Sequence, residues 1–308
     1  MLRSLNTGVT GIRQFQTTLD IIGNNLANIK TVGYKAGRVA FADTLNQTLR
    51  AATPDGAATS GTSSVQVGNG VQVAGINNSF AQGAVNQTGV STDLAVSGEG
   101  FFIVQNKISS ELFATRAGDF RTDSNSFLVT NNGFRVQGFN APPAGAAYAD
   151  TDTIGDIKMD KGTVPAAVLA ANPSAATAGI SNISIDGSGK INILLSDGSQ
   201  YVRGQVLLQN FQNPNALLKQ GNNLYSGLAS AGPLAGSTSA VVFGTKPTAA
   251  TANTHGLGRI DSGALEISNV DIAREFSSLI TTQRAFQANA KVVTASDEML
   301  QTMISVVR

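Results

Sequence analysis

The chain has 308 residues, with 21 Lys and Arg against 20 Asp and Glu, a formal net charge of +1 and only 13% charged positions. That balance gives neither the clustered positive charge of a nucleic-acid binder nor an acidic disordered tail. With no Cys, no Trp and a single His, His255, the sequence excludes disulfides, thiolate metal sites and cysteine nucleophiles, and no metal or cofactor is expected.

The length suits one large or two modest domains. No apolar run is long enough for a spanning helix, so no membrane insertion is expected. Arg3 is followed by Asn6, Thr7, Gly8 and Thr10 rather than an apolar core, so no cleaved leader is expected either. Sparse charge with 33 glycines suits surfaces buried against copies of the same chain.

At the N-terminus, Leu2, Leu5, Val9, Ile12, Phe15, Leu19, Ile22, Leu26 and Ile29 recur in steps of three and four. This is the period of a helix with a narrow apolar stripe. Gly8, Gly11 and Gly23 weaken it by about 1 kcal/mol each relative to alanine. Asn24, Asn25 and Asn28 carry short side chains that bond local backbone, which predicts a helix C-cap, and Gly33 marks the exit. Residues 36–85 read as an extended linker, with a run rich in Ala, Thr, Gly and Ser at 51–64.

The middle reads as β. Strands are predicted at 71–76, 94–96, 101–105, 127–130, 134–139, 183–185, 191–195 and 201–211, with turns at Asn131-Asn132-Gly133, Asp186-Gly187 and Ser196-Asp197-Gly198. Residues 142–179 and 228–255 are of low complexity and read as loops or irregular extensions. Gly187-Ser188-Gly189-Lys190 resembles a phosphate loop, but Ile191 stands where Ser or Thr is needed, and the run reads as a hairpin turn. Gly98-Glu99-Gly100 lacks the third glycine of a dinucleotide fingerprint. Asp123-Ser124-Asn125 lacks the Gly and Glu of a calcium loop and reads as a turn. No nucleophile elbow accompanies His255, so no catalytic residue is expected and the chain is not read as an enzyme.

Beyond Gly263 there is no further Gly and no Pro. Ile272, Phe276, Leu279, Gln283, Phe286, Ala290, Val293, Asp297, Leu300, Ile304 and Val307 alternate steps of four and three. A sustained 3.5-residue period is a coiled-coil seam, in which polar Gln283 and Asp297 would set register at some cost in stability. Ser268 or Asn269 is placed to cap a helix of about 37 residues, roughly 55 Å long at 1.5 Å per residue. A narrow stripe does not bury itself, so the two ends are expected to pair with each other or with other copies. The alternative is that both helices lie on the chain's own globule.

The predicted fold class is α+β: long N- and C-terminal helices pairing as a coiled coil, with a central, mainly antiparallel β domain. The helical domain takes residues 1–35 and 264–308, the linker 36–85, and the β domain 86–255 with a low-complexity insertion around 142–179.

Three segments resemble one family, the axial proteins of the bacterial flagellum that form its rod and hook. The first runs Leu19-Asp20-Ile21-Ile22-Gly23-Asn24-Asn25-Leu26-Ala27-Asn28 and continues through Thr31, Gly33, Tyr34 and Lys35. The second runs Asp93-Leu94-Ala95-Val96-Ser97-Gly98-Glu99-Gly100-Phe101-Phe102, joined by Thr115-Arg116-Ala117-Gly118-Asp119-Phe120 and Leu128-Val129-Thr130. The third is Gly263-Ala264-Leu265-Glu266-Ile267-Ser268-Asn269-Val270-Asp271, with Gln283-Arg284-Ala285-Phe286-Gln287-Ala288-Asn289 and Asp297-Glu298-Met299-Leu300. Gly23, Phe41-Ala42-Asp43 and residues 204–214 look like hook subunits, the expected assignment. Hook subunits are longer than this chain, which keeps the distal rod subunit as the alternative.

The resemblance implies a homo-oligomeric helical tube with other axial proteins above and below. It implies passage through the flagellar export apparatus without cleavage, and a place in the basal body or hook outside the cytoplasmic membrane. In such a tube Leu5, Ile12, Leu19, Ile22 and Leu26 would meet the C-terminal stripe, and the helices would gain order on polymerisation. A secreted β-domain adhesin or binding module is the competing class, and would give a discrete oligomer and no tube.

Overall fold

The computed structural model describes residues 2–54, 60–139, 154–234, 250–252 and 256–306; His255 and Val307, singled out above, lie outside them. The chain divides into two compact units. One comprises residues 1–29, 35–79 and 270–308, the other residues 30–34 and 80–269.

The first unit is built on two long helices, Leu2–Ala27 and Ile272–Val306, the latter of 35 residues. Asp271, rather than Ser268 or Asn269, caps the C-terminal helix. Its Oδ1 accepts from the backbone N–H of Ala273 at 2.9 Å and of Arg274 at 3.2 Å, the two positions an N-cap side chain reaches. At the other helix's end the three asparagines divide their work. Asn28 Nδ2 donates to the Asn24 carbonyl at 2.9 Å, the expected cap. Asn25 turns away and clasps Gly37: its Nδ2 donates to the Gly37 carbonyl and its Oδ1 accepts from the Gly37 N–H, both at 2.9 Å.

Residues 36–85 are not a plain linker. Gly37–Asp43 pairs antiparallel with Val71–Asn78, and Gln47–Arg50 with Val65–Val67. The long hairpin lies on the N-terminal helix, where Phe15 meets Phe41 edge to face at 6.3 Å. The short hairpin is exposed at every one of its paired residues.

The second unit holds a sheet of twelve strands among the described residues. Its main path runs Ile180–Ile185, Lys190–Leu195, Gln200–Gln209, Arg135–Phe139, Phe101–Gln105, Leu112–Thr115, Leu224–Ser226, Leu218–Gly221, with every pairing antiparallel. Both outermost strands carry a register break, between Ile180 and Asn182 and between Lys219 and Gly221. The strand Phe101–Gln105 is buried throughout, as its unbroken apolar run Phe101-Phe102-Ile103-Val104 requires. Phe102, Val104, Val136, Val206 and Leu208 pack on one side of the sheet. Phe101, Ile103, Phe211 and Tyr225 form a second cluster.

Two smaller ladders complete the unit: Leu94–Ser97 with Arg259–Ser262, and Val85–Gln87 with Ala264–Glu266. Residues 264–269 therefore belong with the β structure and not with the C-terminal helix. The part of 142–179 that is described is also folded. Ala166–Ala171 is helical and Pro173–Ala176 a 3₁₀ turn, over a core of Val164, Ala175, Ile193, Leu195 and Tyr201. Pro173 fits because the first position of a helical turn has no N–H to satisfy.

Asp156 ties this region to the sheet. Lys107 Nζ lies 2.8 Å from its Oδ1 and Arg135 Nη1 2.9 Å from its Oδ2, and Gln137 Nε2 donates to Oδ1 at 2.8 Å. Burial alone would push this carboxyl up; the three donors and the Lys107 charge outweigh it and hold the group below the usual range. A depressed carboxyl stabilises the fold above its unfolded-state value of about 3.9 and loses that contribution as pH falls through the folded value. Asp156→Asn is therefore expected to cost about 1–3 kcal/mol at pH 7. The gap between variant and parent should begin to narrow as pH falls below about 3.9 and go on narrowing through the folded value, so that it is smaller at pH 2.5 than at pH 7, read as urea midpoints.

Candidate assembly surfaces

Within the first unit the two terminal helices run antiparallel and in contact. Ser4 Oγ is 3.3 Å from Ser296 Oγ, a Cβ on Gly8 would stand 3.1 Å from Val293 Cγ2, and a Cβ on Gly11 would overlap the Asn289 amide. Asn25 Nδ2 closes the far end on Glu275 Oε2 at 3.4 Å. Each step forward on one helix matches a step back on the other. The absence of side chains at Gly8 and Gly11 is what lets the backbones approach, which gives a use to residues that cost helix propensity.

This contact differs from the seam expected above in one respect. Leu279, Phe286, Val293 and Leu300 are half-buried, as a seam requires. Their companions are the residues three positions on, Thr282, Asn289 and Ser296, with Glu275 one turn before Leu279; Thr282 and Ser296 are buried. The predicted companions four positions on are mostly outside it. Gln283 and Asp297 are exposed, and so are Ile272, Phe276 and Ile304, at 51%, 47% and 70%. On a helix the i+3 and i+4 columns flank the i column on opposite sides. Against a shallow, glycine-bearing partner the small column fits and the bulky one does not. Neither Gln283 nor Asp297 therefore sits at the contact between the two helices.

On the N-terminal helix Ile22 is buried, while Leu5, Ile12, Leu19 and Leu26 are half-buried. The last four stand one residue beyond the Ser4, Gly11, Thr18 and Asn25 column, so they flank the contact. The first unit thus presents two kinds of unpartnered apolar surface. One is the C-terminal helix, with Phe276 and Ile304 exposed on one side of the contact and Val292 and Met299 on the other. The other is the short hairpin and its approach, where Leu45 and Leu49 are exposed. An isolated two-stranded hairpin is marginal in water, and exposed apolar patches of this kind mark association sites.

Gly33 lies in the second unit. Its φ is +67°, and a Cβ there would stand 2.5 Å from the Ala117 nitrogen, so only glycine fits. Its N–H donates to the Glu266 carbonyl at 2.8 Å. The Glu266 side chain meets Arg116, Nη1 to Oε2 at 3.3 Å, and accepts from the Gly83 N–H at 2.8 Å. Arg116 Nη2 donates to the Gly98 carbonyl at 2.8 Å, and its guanidinium lies 5.2 Å from the Phe101 ring centre. This buried pair gathers residues from all three motifs. Its one signal in the sequence is a charged residue at the end of the apolar strand Leu112–Thr115.

Elsewhere the turns read as expected. Asp186 Oδ1 accepts from the N–H of Ser188 and Lys190, closing the hairpin that resembled a phosphate loop. Asp123 Oδ1 accepts from the N–H of Asn125 and Phe127. No helix among the described residues is long and apolar enough to cross a membrane.

Three family models match the chain. "Flagella basal body rod protein" covers residues 5–35, "Flagellar hook protein FlgE/F/G D1 domain" 95–193 and "Flagellar basal body rod FlgEFG protein C-terminal" 261–306. The flagellar basal-body rod protein FlgG of Bacillus subtilis (strain 168) is 35% identical over 308 residues, covering 100% of both chains. FlgG of Buchnera aphidicola subsp. Acyrthosiphon pisum is 33% identical over 303 residues, 98% of each. The flagellar hook protein FlgE of Borreliella burgdorferi is 27% identical over 453 residues, 99% of each.

Proposed function

The chain belongs to the FlgE/F/G family of flagellar axial proteins, a structural, non-enzymatic family that builds rod and hook, and we propose that within it this chain is a distal rod subunit. What carries the reading is collinearity. The alignment with the rod relative runs over 308 residues and spans both chains whole, whereas that with the hook relative stretches over 453. The hook-like features at Gly23 and Ala42 weigh less than the absence of the extra length a hook subunit brings.

In this reading the antiparallel terminal helices associate as a coiled coil with those of neighbouring copies and line a hollow tube. A heterologous contact that does not close generates such an open helix. The subunit passes the flagellar export apparatus uncleaved and stacks on other axial proteins. The exposed short hairpin supports a rod over a hook, because extra interface between copies locks them while a bending tube needs contacts that slide.

Electron microscopy of the concentrated chain tests the reading. Straight hollow tubes are expected. Tubes that curve would return the assignment to the hook, and discrete oligomers without tubes would favour a binding module.

A further inference from the structure

Where Thr31 and Val32 meet residues of the 115–119 segment, the Asn131-Asn132 turn and the Asn222-Asn223 turn, the second unit holds a cleft of about 270 Å³. This is less than the roughly 300–1,000 Å³ of clefts that take drug-sized ligands, and is room for one long side chain. Val32, Ala117 and Leu224 make part of its lining apolar; the rest is hydroxyl and amide with a single carboxylate, Asp119, and the lining includes neither a cation nor an aromatic ring.

Three donors of this lining are engaged inside the chain. Asn223 Nδ2 donates to the Val32 carbonyl at 2.7 Å, Asn131 Nδ2 to Asp119 Oδ2, and Thr115 Oγ1 to the Asn223 carbonyl at 2.9 Å. A side-chain amide has an acceptor oxygen besides its donors, and a carboxylate has two. The Asn131 and Asn223 side chains and Asp119 thus bring acceptor oxygens to the cleft. Asp119 is half-buried, and no Lys or Arg among the described residues pairs with it. Burial pushes its carboxyl up, and the charge of Asp93 adds to this against the bonds from its own backbone and Asn131. An anion is excluded by this charge. A hard divalent cation takes six to eight oxygens, commonly from several carboxylates, and one carboxylate is too few.

We propose that this cleft receives an arginine or lysine side chain from a second copy of the chain, held by Asp119 and the side-chain oxygens of Asn131 and Asn223. The choice of occupant rests on the proposed polymeric role; the choice of chemistry rests on the cleft alone. A guanidinium, with five donors and no acceptor, suits a carboxylate flanked by amide oxygens.

Two measurements test it. In the first, N-acetyl-argininamide and its neutral isostere N-acetyl-citrullinamide are titrated into the soluble full chain, with the Asn131 and Asn223 side-chain amides followed by NMR. A saturable shift with the arginine probe, at least tenfold weaker with citrulline and lost in Asp119→Asn, is expected. An equal response to both probes, or none, overturns the proposal whether or not the chain polymerises. In the second, Asp119→Asn should leave the monomer as stable as the parent or more so, since it removes a costly charge. The same variant should raise the critical concentration for tubes about tenfold or more and flatten its salt dependence. An unchanged critical concentration overturns the second-copy occupant. Failure of the parent chain to form tubes would count against the distal rod reading and leave the first measurement to decide the chemistry of the cleft.

Discussion

Glu266→Ala is expected to lower the melting temperature of the β unit by about 6–20 °C, the shift that follows from a loss of about 3–5 kcal/mol in a unit of this size. Arg116 is 1% exposed and Glu266 0% exposed. Burial already lowers the proton affinity of the guanidinium, and the charge of Glu266 is the leading influence that opposes this. Removing the carboxylate leaves a cation in an apolar interior and frees the Gly83 N–H at once. The pair itself need not be a net source of stability, because desolvating two charges is expensive. The double variant Arg116→Met, Glu266→Met should accordingly recover more than half of the loss. Thermal unfolding followed by near-UV circular dichroism measures both. A single variant within 1 kcal/mol of the parent would show that the pair is solvated.

The second large effect concerns association. Phe276→Ser with Ile304→Ser should leave the single chain folded within about 0.5 kcal/mol, because both side chains are exposed in it. If each is buried against another copy, each contributes about 1.5–3 kcal/mol to the contact. That is a factor of roughly 10 to 150 apiece in the equilibrium. The critical concentration for tubes should then rise at least a hundredfold, measured by sedimentation. Polymer formed at the parent's concentration would show that this flank of the C-terminal helix is not a subunit contact.

The sequence is legible where one periodicity or one run decides the structure. Phe101-Phe102-Ile103-Val104 is a short apolar run bounded by glycine and reads as a buried strand, and the unbroken rhythm from Ile272 reads as a long helix. It is not legible where a distant partner decides. Leu112–Thr115 and Leu224–Ser226 are short and without alternation, and become strands by pairing Leu224 with Thr115. The helix contact follows the same logic. The apolar column from Leu279 to Leu300 could be read directly, but Gly8 and Gly11 on the other helix select the small polar column beside it. The cap of the C-terminal helix is Asp271 and not the expected Ser268 or Asn269. The strand Ala264–Glu266 and the bond from Asn269 Nδ2 to the Ala81 carbonyl leave Asp271 in the place.

The register breaks in the two outermost strands bear on how such a protein is kept from aggregating. A straight open strand is a template for any passing chain, and a twelve-strand sheet with two of them would recruit others sideways. A bulge leaves one residue out of the ladder and bends the strand away, so the donors and acceptors beyond Ile180 and Lys219 no longer line up for a newcomer. Lateral fusion of sheets, the route to amorphous or amyloid-like deposits, is discouraged at both ends of the main path.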